Sequence, residues 1–286
     1  MLTKRILLLF FRDKANVFFS LLAVFIIIGL YVLFLGNLME EDLQLALGID
    51  AAKASLIAAS LMLAGMAAVV SLTSCLGALG ISIADKQNAA KDFRTSPVSR
   101  GKITFSYMLG SGAVGLMMTF IALILSISYI VAKGGSWPAA LDCARLLLTA
   151  VLSVLCGNAM VYFLCLFAKS QNAFTAISTV IGTLIGFLMG IYIPIGSFPA
   201  AVQWVIKCFP MTHAASMFKQ ILADGELARL LVNEPPAVLT GLRETFGVVL
   251  TYGDISSSFW LSAAILAATT AVFYGLSLLV MRVHGS

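Results

Sequence analysis

Charge is scarce in this sequence. Only 11% of its 286 residues are Asp, Glu, Lys or Arg, while 60% are hydrophobic. Soluble domains carry about 25% charged residues, so a water-soluble fold is excluded. The scarcity is organised. Six apolar runs, about 17–38, 55–84, 103–132, 146–168, 173–194 and 259–281, contain no Asp, Glu, Lys, Arg or His. Each is long enough to cross a ~30 Å hydrocarbon core, which takes about 20 helical residues. Ion- and proton-coupled transporters usually hold ionisable groups or broken ion-binding helices at membrane depth, so an ion-coupled pump is disfavoured. The phosphate-binding pattern GxxxxGK[ST] is missing as well, which leaves no nucleotide site of that kind. Any driven work must draw its energy from another subunit. The two histidines, His213 and His284, fall on opposite sides of the expected topology and cannot share a metal. The five cysteines are odd in number and form no CxxC, which suits packing rather than a disulfide framework. No cluster of polar catalytic groups converges near one interface. No tandem repeat is visible.

What the sequence does contain follows from those runs. The reading is an all-α polytopic membrane protein with six transmembrane helices. Residues 1–16 form an N-terminal cytoplasmic interfacial helix and 17–286 the membrane domain. Ile6–Phe11, too short to span, is flanked by Lys4, Arg5, Arg12 and Lys14. Met39–Lys53 is acidic and expected outside. Six crossings place eleven of the eighteen Lys/Arg but three of the thirteen acids inside. That bias puts both termini in the cytoplasm. The net charge of +5 therefore reflects topology and not nucleic-acid binding. Residues 196–210 read as an outer re-entrant segment before the last span. Its apolar piece, Ala200–Phe209, is too short to cross and is bracketed by prolines, with Pro194, Pro199 and Pro210 marking the turns. Residues 211–258 read as a small extracellular segment with short helices near Thr212–Ala223 and Pro236–Phe246.

The loop 85–102 organises the chain, with five Lys/Arg against Asp85 and Asp92. Gln87–Arg94 can be helical, and Pro97 then breaks the helix. A solvated basic turn satisfies the positive-inside rule. A sharper reading is a cytoplasmic knob that docks into a partner through Asp85, Lys91, Phe93, Arg94, Pro97 and Arg100. In the fifth run Gly182, Gly186 and Gly190 recur every four residues, a double GxxxG suited to close helix packing or a moving contact. Met62 and Met66 belong to a methionine population that suits an adaptable apolar path or gap-filling. Phe187 joins the candidate path residues. Asn158, alone among amides well inside a span, is expected to bond between helices.

Together these features resemble the membrane subunits of ATP-binding-cassette exporters of the ABC type-2 permease family. The resemblance rests on the order of Pro97-Val98-Ser99-Arg100, Lys169-Ser170-Gln171-Asn172-Ala173, the glycine-rich span, Tyr192-Ile193-Pro194, Phe198-Pro199 and Phe209-Pro210-Met211-Thr212. Many relatives carry Gly-Thr after an acidic residue in the first inner loop, where this chain has Ala89-Ala90. The resemblance implies a permease subunit of the cytoplasmic membrane, not catalytic by itself. It would pair with a second permease chain and two cytoplasmic ABC ATPases. ATP and Mg would sit on those ATPases, with no cofactor bound by this chain. The 85–102 knob would enter a cleft of the ATPase, moving the second and fifth spans. Substrates would be amphipathic or lipid-like compounds (drug, antibiotic or lipid) moved outward. A non-transporting membrane component, such as an assembly scaffold or lipid-modifying enzyme, is the competing reading.

Overall fold

The computed structural model describes residues 2–12, 14–88, 100–168 and 170–284. Its helices are α1 (Leu2–Arg12), α2 (Lys14–Leu30), α3 (Gly36–Leu47), α4 (Ala51–Asn88), α5 (Arg100–Ala132) and α6 (Ala140–Phe167). They continue as α7 (Gln171–Leu188), α8 (Ala200–Cys208), α9 (Pro210–Leu222), α10 (Asp224–Leu230), α11 (Pro236–Thr245) and α12 (Phe259–His284). A small antiparallel hairpin, β1 (Thr251–Tyr252) with β2 (Ile255–Ser256), precedes α12. Among the described residues, five helices are long and apolar enough to cross a membrane: α4, α5, α6, α7 and α12. The protein is therefore all-α and multi-pass.

The expected first span, 17–38, takes a different form. Regular α-helix stops at Leu30, a π-helical turn runs over Tyr31–Leu35, and α3 continues to Leu47. The uniform α-helical part is 17 residues, short of the about 20 that a span needs. Most of the loop expected at Met39–Lys53 is accordingly helical. The fifth run also ends early, at Leu188 instead of 194. Gly190 there adopts a φ of +61°, a left-handed conformation open to a residue without Cβ, and the chain turns.

The centre of the bundle is α4. Every residue from Ala54 to Leu72 is buried. More than half of that stretch is Ala, Ser or Gly, so neighbouring backbones approach from all sides. It packs against α5, α9, α6, α3, α2 and α7. Hydroxyls and one amide join the central helices. Ser71 and Ser153 share a hydrogen bond of 2.5 Å, and Ser126 donates to the Leu63 carbonyl at 3.0 Å. Ser111 donates to Asn158 Oδ1, and Asn158 Nδ2 to the Met108 carbonyl, both at 2.8 Å. Asn158 thus ties α6 to α5 as expected. In a medium without water such groups need internal partners.

The two ends of the bundle differ. At one, Tyr31 donates to the Ser55 carbonyl (3.0 Å) and Lys133 Nζ to Ser55 Oγ (3.1 Å). This gathers the π-helical turn before α3, the start of α4 and the α5–α6 turn. At the other end α1 packs along α5, with the Thr3 hydroxyl 3.5 Å from the Ser106 carbonyl.

Candidate translocation groove and capped end

A groove of about 560 Å³ lies between α4 and α7. From α4 it takes Thr73, Leu76, Gly77, Gly80 and Ile81; from α7 it takes Gln171, Phe174, Thr175, Ser178, Thr179 and Gly182. Gly80 makes the contact at its base possible, since a Cβ there would sit 2.9 Å from the Phe174 ring. The threonines of α7 recur every four residues. Thr175, Thr179 and Thr183 each donate to the carbonyl one turn earlier, at 2.9, 2.9 and 3.0 Å. Their polarity is thereby satisfied within the helix, leaving their methyls free for apolar contact. Gln171 Oε1 and Ser178 Oγ are buried in the groove without a protein hydrogen-bond partner. A lining that mixes apolar walls with an unpaired amide oxygen and an unpaired hydroxyl suits an amphipathic guest or a facing polar helix.

The glycine repeat of α7 does not form a single close-packing face. Gly182 has open space around it, and Gly186 packs under the ring of Tyr192, where a Cβ would collide. Gly190 stands beyond the helix. The early end of α7 separates the three. Met62 borders a second cavity at the capped end, whereas Met66 is fully buried in the core and borders none of the described cavities. Phe187 is exposed, its ring edge-on to Tyr192 at 5.1 Å. Pro194 precedes a short 3-10 turn, Pro199 precedes α8, and Pro210 opens α9, where a missing N–H costs nothing. Asp85 falls in the last turn of α4 and Arg100 opens α5. Lys91, Phe93, Arg94 and Pro97 lie outside the described residues.

The largest departure concerns α9, which its sequence assigns to an outer polar segment. Met211–Lys219 is wholly buried, packed against α4, α12 and α6. Apart from His213, its polar side chains reach carbonyls at or near the ends of other elements. Thr212 donates to Leu188 (2.8 Å) and Ile206 (2.7 Å), closing the C-termini of α7 and α8. Ser216 donates to Val248 at 2.7 Å, joined there by Gln220 Nε2 at 2.9 Å. Lys219 Nζ donates to Gly190 (3.1 Å) and Phe246 (2.8 Å). Thr212, Ser216 and Lys219 follow an i, i+4, i+7 spacing, which is the signal that could have marked this face.

His213 completes the layer. The Tyr252 hydroxyl donates to the Lys207 carbonyl at 2.7 Å. It therefore accepts from His213 Nε2 at 2.9 Å, which leaves Nδ1 to accept from Ser262 at 3.1 Å. Burial pushes the imidazole pKa down to about 4, so the ring is neutral at physiological pH. Beyond α9, Glu226 accepts from the Ser136 amide (2.6 Å) and hydroxyl (2.5 Å) and from Arg229. Burial raises its pKa, but these hydrogen bonds and the Arg229 charge outweigh burial, so the net shift is downward. Arg243 grips Asp224 with two bonds, 2.5 and 2.9 Å. The α5–α6 turn, α10 and α11 are thus held over one end of the bundle.

A central small-residue helix, a groove of mixed polarity beside it and a cap of short helices at one end make up a multi-pass membrane subunit. The chain belongs to the ABC-2 type transporter family, which matches residues 1–223, from α1 through α9. It is thus the membrane component of an ABC transporter, a class that works with separate ATP-hydrolysing subunits and is not itself catalytic. No curated protein matches the chain.

Proposed function

We propose that this chain is the permease subunit of an ATP-driven exporter, moving amphipathic or lipid-like compounds outward across the cytoplasmic membrane. The observation that carries the reading is the α4–α7 groove. It is apolar enough for an alkyl or aromatic body and holds an unpaired amide oxygen at Gln171 and an unpaired hydroxyl at Ser178 for a polar group. The exposed face of α7 receives a second permease chain, identical or related, so that the groove becomes part of a shared path. In this reading the helix from Lys14 to Leu47 supplies the sixth crossing, both termini are cytoplasmic, and 196–210 dips into the outer leaflet without crossing. Loop 85–102 couples to the ATPase through Phe93 and its basic neighbours.

Burying a phenylalanine is worth about 1.5–3 kcal/mol, enough to change occupancy about ten-fold or more. Phe93→Ala and Arg94→Glu should therefore detach or uncouple the ATPase while leaving membrane insertion intact. The check is co-purification of the ATPase together with transport in proteoliposomes. Variants that bind the ATPase and transport like the parent would sink the coupling role.

A further inference from the structure

A second cavity, of about 370 Å³, opens at the capped end between α3, α4 at Leu61 and Met62, the turn after α7, and α11. Leu35, Leu38, Leu43, Leu61, Met62 and Ile193 give it apolar walls. Lys219 also lines it, although that residue is only 2% exposed. The lysine stem reaches the cavity across α4 at Gly65, where a Cβ would stand 3.1 Å from Lys219 Cε. An ammonium has three donors, and two are spent on the Gly190 and Phe246 carbonyls. Both partners are neutral. Among the described residues no carboxylate pairs with Lys219, and burial lowers its pKa to about 7. Asp42, the acid at this cavity, is exposed at its rim. A buried cation without a counter-charge is costly, and a neutral donor could hold the same two carbonyls.

We propose that this cavity binds a single-chain amphiphile, with its anionic head on Lys219 and its adjoining alkyl segment along the leucine and methionine walls. The volume lies within the about 300–1,000 Å³ of small-ligand sites. The site goes beyond the transport reading. It concerns this chain alone, and stands or falls separately from the α4–α7 groove and from any ATPase.

The full-length protein in nonionic detergent is titrated calorimetrically with dodecanoate, dodecyl phosphate and dodecanol. At least one anion should bind about ten-fold or more tighter than the alcohol, reflecting a charge-assisted hydrogen bond, and the two anions show which head the site prefers. Lys219→Met should remove that preference while leaving dodecanol binding as it was. Because that variant leaves two carbonyls unpaired and can fail to fold, Leu38→Trp provides an independent arm. Leu38 is 45% exposed on the cavity wall, so the bulk enters from the mouth without disturbing the core. It should weaken binding of all three ligands about ten-fold by filling the space. Equal affinity for dodecanoate, dodecyl phosphate and dodecanol would overturn the proposal, as would undiminished anion binding in the folded Leu38→Trp protein.

Discussion

Helices α4 and α7 are built from similar material, rich in Ala, Ser, Thr and Gly, yet they occupy opposite kinds of place. Of the most apolar window of α4, 94% is buried inside the subunit; of that of α7, 17% is. The small residues of α4 are consumed by neighbours, as at Ala64, Ala67 and Ala68, all fully buried. Those of α7 meet nothing, as at Gly182, or meet only the chain's own next turn, as at Gly186. Small side chains therefore permit close packing without causing it. The difference lies in what arrives from elsewhere. The polar helix α9 packs on α4 along its length, while it touches α7 through a cap at Leu188. A helix left that open in a multi-pass subunit is available to another chain or to a guest.

The strongest way to break the comparison is to unseat α9 by acid. His213 has a folded pKa near 4 against about 6.5 unfolded, so between those values the unfolded chain binds more protons. Its contribution is complete above about pH 6.5 and disappears as pH falls through 4, an effect of up to about 3 kcal/mol. The groups around it, Tyr252, Ser262 and the Lys207 carbonyl, supply no negative charge at these pH values to hold an imidazolium. Unfolding of the purified subunit, followed by circular dichroism, should show this acid loss. A His213→Asn variant should be less stable at neutral pH and lose less between pH 6.5 and 4. An unchanged acid slope in the variant would place the sensitivity elsewhere.

A smaller effect is expected from overpacking the centre. Ala67→Leu adds bulk at a position with no exposure and should cost about 1–3 kcal/mol, read as a lower thermal midpoint in detergent. The matching change on α7, Gly182→Leu, meets open space and should shift the midpoint of the monomer hardly at all. Its effect should appear as altered self-association in cross-linking or size-exclusion experiments, where the face is used. Equal destabilisation by the two substitutions would abolish the distinction between the helices. No change in association for Gly182→Leu would remove α7 as a subunit boundary.

The apolar runs corresponding to α4, α5, α6, α7 and α12 are legible in the sequence, because a hydrocarbon core of fixed thickness demands long uncharged helices. Asn158 and the prolines at 199 and 210 are legible too, each carrying a local chemical constraint. The groove is not, although Gly182 stands out as part of a repeat. Gln171, Thr175 and Ser178 are commonplace in sequence, and only their juxtaposition with Thr73 and Gly80 makes a lined space. Lys219 and His213 sit next to an acidic segment, and polar residues in such company read as solvent-facing. Their partners, Gly190, Phe246, Ser262 and Tyr252, lie 29, 27, 49 and 39 residues away, beyond any local pattern.

The sequence by itself determined that this is a polytopic helical membrane protein and where most of its long helices run. Desolvating a backbone leaves few alternatives, and charges mark the limits. Only the tertiary structure decided that α4 is the axis, that α7 ends at Leu188, and that Pro210–Leu222 belongs inside the bundle. Burial of a lysine or histidine is settled by whether carbonyls and hydroxyls from distant turns converge on it. That convergence is a property of the assembled chain, and no local spacing of residues encodes it.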